Sequence, residues 1–300
     1  MGIRLNPDLY QTALQGIELL RQGENNDLEQ MSSGKRFTNL SDDPVAVAQL
    51  VLNEAQSSNV DQYLQNISTL QNSLQVADST LNSVVTALSQ AISLGVEGST
   101  STTNASDKQT IATEVAGIKD QILSLANTAY AGNYLFAGTA VTTQPFTEDS
   151  NSPSGVTYTN ATGSASTNSV QIGDGEYIPV NLAGSQVFTP TGSDVFLALQ
   201  NLVTALQSGG DVAGATNQVQ QVFSRFNEQR TFYGVTLSRL QTSQDFLNQE
   251  KLGLSSAQSN IESADMSSVI SNYVQSETAL DASYQAAGRV SQMTLLDYLK

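Results

Sequence analysis

Cysteine and histidine are both missing from this chain of 300 residues. Without cysteine there is no disulfide, no thiolate nucleophile and no thiolate metal site; without histidine the commonest general base and the commonest transition-metal ligand go too. Carboxylates, Tyr, Lys and Ser remain, so catalysis is narrowed rather than closed. Long apolar runs are lacking as well. None approaches the roughly 20 residues of a membrane span, and the opening MGIRLNPDLY carries no apolar core of signal-peptide length. No membrane partner is expected, and any extracellular role calls for export without a cleaved signal peptide.

Positive charge is the other scarcity. The net charge is −16, and between Lys119 and Arg225 no Lys or Arg occurs, although Asp120, Glu148, Asp149, Asp174, Glu176, Asp194 and Asp211 do. Such a surface repels phosphate, so nucleic acid and anionic lipid are not expected as partners. What the chain does have is 39% apolar residues, enough for ordered cores in two or three domains.

Most of that apolar content is periodic. At a step of seven, Val60, Ile67, Leu74, Leu81 and Leu88 form one column, with Tyr63, Leu70, Ala77, Val84 and Ala91 three residues further on. This spacing predicts a helix with a two-column seam. It breaks at GVEGSTSTTNASDK and resumes through Ile111, Val115, Ile118, Ile122 and Leu125. A longer column runs Val219, Phe226, Tyr233, Leu240, Leu247, Leu254 and Ile261, a helical rod of roughly 64 Å at 1.5 Å per residue. Its companion positions are Gln229, Thr236, Ser243 and Glu250, too polar for a two-stranded seam, so the rod needs neighbours on more than one side.

Between the rods, SVQIGDGEYIPVNL reads as a hairpin turning at Gly173 to Gly175, and helix restarts at SDVFLALQNLVTAL with Ser193 or Asp194 as cap. Tyr134, Leu135 and Phe136 stand where helix gives way to the β-rich insert, and read as a hydrophobic plug. The two ends carry narrow apolar stripes, Ile3, Tyr10, Leu14, Ile17, Leu28 and Met31 at one, Ile270, Tyr273, Leu280 and Tyr284 at the other, with Asn25 and Asn26 interrupting the first. Isolated helices of this kind are marginal in water, so both ends are expected to lack fixed structure until other chains cover them.

MSSGKRFTNLSDDPVAVAQL superficially suggests a phosphate loop, but Glu29 stands where such a loop needs its first glycine and Arg36 follows Lys35. A joint explains the residues better: Gly34 ends one helix, while Asp43 and Pro44 are the N-cap and first residue of the next. Asp174 with Glu176 lacks the alternating acids of a calcium loop. The sequon at Asn160 is expected by chance in so Asn-, Ser- and Thr-rich a chain. No cofactor, metal or catalytic residue is expected.

Three separated stretches carry a resemblance: QMSSGKRFTNLSDDPVAVAQ, GNYLFAGT followed by QPF, and IESADMSSVISNYVQSETALDASYQAAGRVSQMTLLDYL. The chain resembles the flagellin superfamily over both ends and the helical core, and within it the hook-associated protein 3 branch, which joins hook to filament in bacterial flagella. The YLFAG joint favours this branch over flagellin itself. The resemblance does not extend to residues 141–189.

The expected fold is mainly α with an inserted β domain: a long antiparallel helical bundle or coiled-coil rod, N- and C-terminal helices paired, and a small β domain at the distal end. The expected divisions are residues 1–45 with 256–300 as a terminal coiled-coil domain, 46–140 with 190–255 as a helical rod, and 141–189 as the insert. The resemblance implies a structural, non-enzymatic role on the bacterial flagellum outside the cell. It also implies a ring of identical subunits, contacts with the other hook-associated protein and with flagellin, and a cytoplasmic chaperone that holds the C-terminal helix before type III export. Ile3, Tyr10, Leu14, Ile17, Leu28 and Met31, with Tyr273, Leu280, Tyr284, Val290, Leu295, Leu296 and Leu299, are the expected terminal-helix and subunit contacts. Gly34, Lys35, Arg36, Asp42, Asp43 and Pro44 form the expected inter-domain joint, with Lys35 and Arg36 turned to acidic residues of adjacent subunits. A short flagellin that builds the filament itself, and a secreted coiled-coil effector or adhesin, are the alternatives.

Overall fold

The computed structural model describes residues 7–37, 39, 41–159, 169–179 and 183–298, with side chains defined from 11 to 289 within those ranges. In chain order the elements are α1 (Pro7–Ser33), α2 (Pro44–Gly98), α3 (Ala105–Ala126), β1 (Ala129–Tyr130), β2 (Asn133–Tyr134), β3 (Phe146–Glu148), β4 (Val156–Tyr158), β5 (Ser169–Gly173), β6 (Glu176–Pro179), α4 (Gly184–Val187), α5 (Val195–Ser208), α6 (Val212–Glu262) and α7 (Met266–Tyr298). The chain divides into two compact units, residues 60–249 and residues 1–59 with 250–300. These divisions fall inside α2 and α6, whereas the expected ones stood at 45/46 and 255/256. The insert, residues 141–189, belongs to the unit of 60–249.

The unit of 60–249 has a continuous core. Both seven-step columns of α2 point into it, with Ile67, Leu81, Val84, Leu88 and Ala91 fully buried and Tyr63 half-buried. The α6 column does the same through Val219, Phe226, Tyr233, Leu240 and Leu247. Asn104 caps α3 by accepting from the Asp107 N–H, and Asp194 caps α5 by accepting from the Phe196 and Leu197 N–H groups, so these helices start where side-chain oxygens meet their free donors. α3 and α5 pack on each other.

Among the described residues the β structure is three separate two-stranded antiparallel ladders, β1 with β2, β3 with β4 and β5 with β6, not one sheet. The predicted hairpin is β5–β6, with Val170 opposite Ile178. The first ladder lies ahead of residue 141, within the stretch expected to be helical rod. Its turn puts Ala131 and Gly132 at φ 49° and 83°, a left-handed pair that a helix cannot contain. The strands close over rings: Phe146 and Phe188 stand 5.4 Å apart, Phe136 and Phe188 5.0 Å, and Phe188 and Phe226 5.4 Å. Gly184 is required here, because a Cβ would sit 2.7 Å from both the Phe136 carbonyl oxygen and the Phe146 ring.

In the other unit α1 packs on α7. Residues 34–36 meet 262–264 at one end and Gly23 faces Ser276 further along, so the two helices run antiparallel. Helix α1 is continuous from Pro7 to Ser33, so Asn25 and Asn26 do not interrupt it. Their poor helix propensity, a few tenths of a kcal/mol each, is outweighed by the flanking turns and the partner helix. Over their described residues α1 and α7 are helical and pack on each other.

Candidate functional site

Among the described residues, the unit of 1–59 with 250–300 buries few side chains. Among its described apolar side chains only Ile17, Ala46 and Val269 are buried. Leu14, Leu19 and Leu28 on α1, Val45, Val51 and Leu52 on α2, Leu252 on α6, and Met266, Ile270, Val274 and Tyr284 on α7 are exposed. Scattered single apolar residues are ordinary on a protein surface, but these outnumber the buried ones and repeat at helical spacing. Leu14 and Leu28 are two heptads apart, as are Ile270 and Tyr284. In the α1–α7 register set by residues 34–36 against 262–264, Leu14 stands level with Tyr284 and Leu28 with Ile270. Each of the two helices therefore carries uncovered apolar residues at levels matched by its partner.

The described residues at both chain crossings of this unit close the helix ends. Gly34 ends α1 at φ 69°, with its N–H on the Gln30 carbonyl at 2.8 Å, and α2 opens at Pro44 with the Asp43 carboxylate accepting from the Ala46 N–H at 3.0 Å. Asp42 accepts from the Asn39 N–H at 3.2 Å. Lys35 pairs with Glu262 at 3.3 Å and Arg36 with Asp43 at 2.9 Å, both cations about half exposed. Glu262 reaches Lys35 because the α6–α7 crossing is bonded to the α1–α2 crossing, while Arg36 and Asp43 belong to the same crossing. Asp265 accepts from the Ser267 N–H at 3.0 Å at the start of α7.

Of the expected contact residues, Leu14 is 47% and Leu28 52% exposed, Tyr284 is 49% exposed, Met31, Tyr273 and Leu280 are half-buried, and Ile17 is buried. Ile3 and Leu299 lie outside the described residues, and so do the side chains of Tyr10, Val290, Leu295 and Leu296. The sequon at Asn160 is also outside them. Leu19, Val45, Val51, Leu52 and Leu252 were missed. Val45 and Leu52 are seven residues apart, so that column was readable ahead of Val60; Leu252 falls between the positions of the α6 column. Tyr134 is half-buried, and Leu135 and Phe136 are buried against the ring cluster of the other unit, where they fill space and present no convergent polar groups.

The titration shifts belong to the unit of 60–249. Burial raises the Asp194 carboxyl above the ordinary carboxylate range, against the pull of its hydrogen bonds from Leu197 and Phe196 N–H. Burial, then the nearby Asp78 carboxylate, pushes the Tyr233 phenol up. The Arg230 guanidinium is bound to Asp78 at 3.1 Å.

Residues 9–141 match the bacterial flagellin N-terminal helical region and residues 215–299 the bacterial flagellin C-terminal helical region. The flagellar hook-associated protein 3 of Escherichia coli strain K12 is 30% identical over 97% of this chain and 98% of its own length. The chain belongs to the flagellin family, in its hook-associated protein 3 branch. The hook-associated protein 3 of Salmonella typhimurium is 31% identical over 89% of the chain, whereas a Listeria monocytogenes flagellin is 22% identical over 88%. In fold, this family member matches a solved flagellar hook-associated protein from Vibrio parahaemolyticus with a TM-score of 0.67 at 20% identity, over 74% of this chain and all of that one. The two flagellin regions contain α1 and α7 from residue 9 to 298, so the uncovered apolar residues of these helices lie on the segments that define the family.

Proposed function

We propose that this chain is a structural, non-enzymatic adaptor of the bacterial flagellum that joins hook to filament, acting outside the cell after export through the flagellar type III apparatus. The observation that carries the reading is the exposure of apolar residues on α1 and α7, in the parts of the chain that match the flagellin end regions. A helical pair that buries so few side chains gains stability by docking. Burying its exposed apolar residues against neighbours contributes about 25 cal/mol per Å² of apolar area, less the cost of ordering the helices. The neighbours are further copies in a ring, the other hook-associated protein on one side and flagellin on the other. Before export a cytoplasmic chaperone covers the C-terminal helix. Nucleic acid and membranes are not partners, in keeping with the negative charge.

The proposed division of labour is residues 1–45 with 256–300 as the docking domain, 46–140 with 190–255 as the supporting rod, and 141–189 as the outward insert. Leu14, Leu28, Leu280 and Tyr284 are proposed contacts, and so, from the sequence alone, are Ile3, Tyr10, Leu295, Leu296 and Leu299. The filament-forming alternative is weaker, because identity to the flagellin is lower than to the hook-associated proteins over a similar share of the chain.

Complementation tests the proposal. A strain that builds hooks but sheds filament subunits into the medium, for want of its own junction protein, should regain attached filaments when it makes this chain. Introducing Leu280→Asp with Leu296→Asp should restore the shedding at unchanged protein level. Long filaments grown from the purified chain alone would favour the flagellin reading instead.

A further inference from the structure

The α1–α2 and α6–α7 crossings are bonded to each other through their backbones. The Arg36 N–H donates to the Glu262 carbonyl at 2.6 Å, and the Ala264 N–H donates to the Gly34 carbonyl at 3.0 Å. Lys35 and Ser263 stand opposite one another between these bonds as an isolated antiparallel bridge. Each helix end at this place is also closed by its own residues: α1 by Gly34, α2 by Asp43, α7 by Asp265, and the end of α6 by the Ser263 N–H on the Ser259 carbonyl. The Lys35–Glu262 ion pair lies over the bridge and Arg36–Asp43 beside it.

We infer that the two crossings form one cooperative unit, a two-rung β-clasp that fixes the register of α1 against α7. Because these two bonds are the only backbone links between the crossings among the described residues, and the helices on either side are independently capped, the two rungs are made or lost together. The clasp thereby sets the level of α1 against α7 and keeps Leu14 level with Tyr284 and Leu28 with Ile270.

Amide exchange in the free full-length chain tests the cooperativity directly. The Arg36 and Ala264 amides should exchange at least about tenfold more slowly than an unstructured peptide, although both lie between helices. Ala264→Pro removes one rung's donor, the Ala264 N–H. In this variant the Arg36 amide should lose its protection, although Arg36 belongs to the other crossing. Unchanged Arg36 exchange in Ala264→Pro, or no protection of either amide in the native chain, overturns the proposal.

A second variant, Lys35→Cys with Ser263→Cys, uses the chain's lack of other cysteines. Opposed residues that do not bond each other directly bring their Cα atoms to about 4.5 Å, within disulfide range. Oxidation of the free chain should give an intramolecular cross-link, and the cross-linked form should assemble on hooks as well as its reduced form. Failure to cross-link, or assembly of the reduced form only, would show a clasp that is absent or that must open. Because the exchange experiment needs no hooks, loss of assembly by the native chain would count against the junction role alone.

Discussion

Asp194 shows how a single residue can serve two opposing needs. Its carboxylate accepts from the Phe196 and Leu197 N–H groups at 2.8 and 3.1 Å, which starts α5, yet burial raises its pKa. A carboxyl whose folded pKa lies above its unfolded value contributes stability that is full below the unfolded value of 3.8 and lost as pH rises through the folded one. Asp194→Asn keeps an equally good cap without the buried charge. Its denaturation midpoint should exceed the native one at pH 7, and the advantage should vanish below pH 3.8. Gly184→Ala should cost about 1–3 kcal/mol in the same measurement, because its methyl group would press on the Phe136 backbone and the Phe146 ring. Both caps of the α1–α2 joint were legible in the sequence, since Gly34 and the Asp43–Pro44 pair have conformational preferences that need no tertiary context. Their ion-pair partners were not. Glu262 is distant in sequence, and only the fold brings it to Lys35.

Among the elements, α2 and α6 show what periodicity can and cannot reveal. Their seven-step columns predicted the buried side chains from Val60 to Leu88 and from Val219 to Leu247, because burial of one helical face leaves a repeat in the sequence. The polar groups that fix their register leave no such trace. Asn53 Nδ2 donates to the Leu254 carbonyl at 2.9 Å, Gln71 meets Gln244 at 3.4 Å, and Arg230 binds Asp78 at 3.1 Å, pairs that run in opposite directions along the two helices. Two of the three β ladders also escaped prediction, being only two or three residues per strand with no alternation to read. The columns give a contrast between units. Leu81→Ala or Phe226→Ala empties a site with no solvent exposure and should lower the stability of the 60–249 unit by about 2–5 kcal/mol. Leu28→Ala and Leu252→Ala, at 52% and 71% exposed, should leave the unfolding free energy of the free chain within about 0.5 kcal/mol of native.

At the scale of the whole molecule, the chain pairs a unit with a continuous core and a unit whose described residues bury few side chains. The first folds on its own apolar content. The second, made from both ends of the chain, leaves its leucines, valines and Tyr284 for something else to cover. That asymmetry, in a member of the flagellin family, is the physical basis of the proposal that docking at the hook–filament junction covers the second unit. Amide exchange of residues 7–33 and 266–298, measured in the free chain and again after incorporation at the hook tip, tests it most directly. The account predicts rapid exchange in these helices when free and strong protection after incorporation, with the core of 60–249 protected in both states. Terminal helices as protected in the free chain as that core, with no change on assembly, would contradict it.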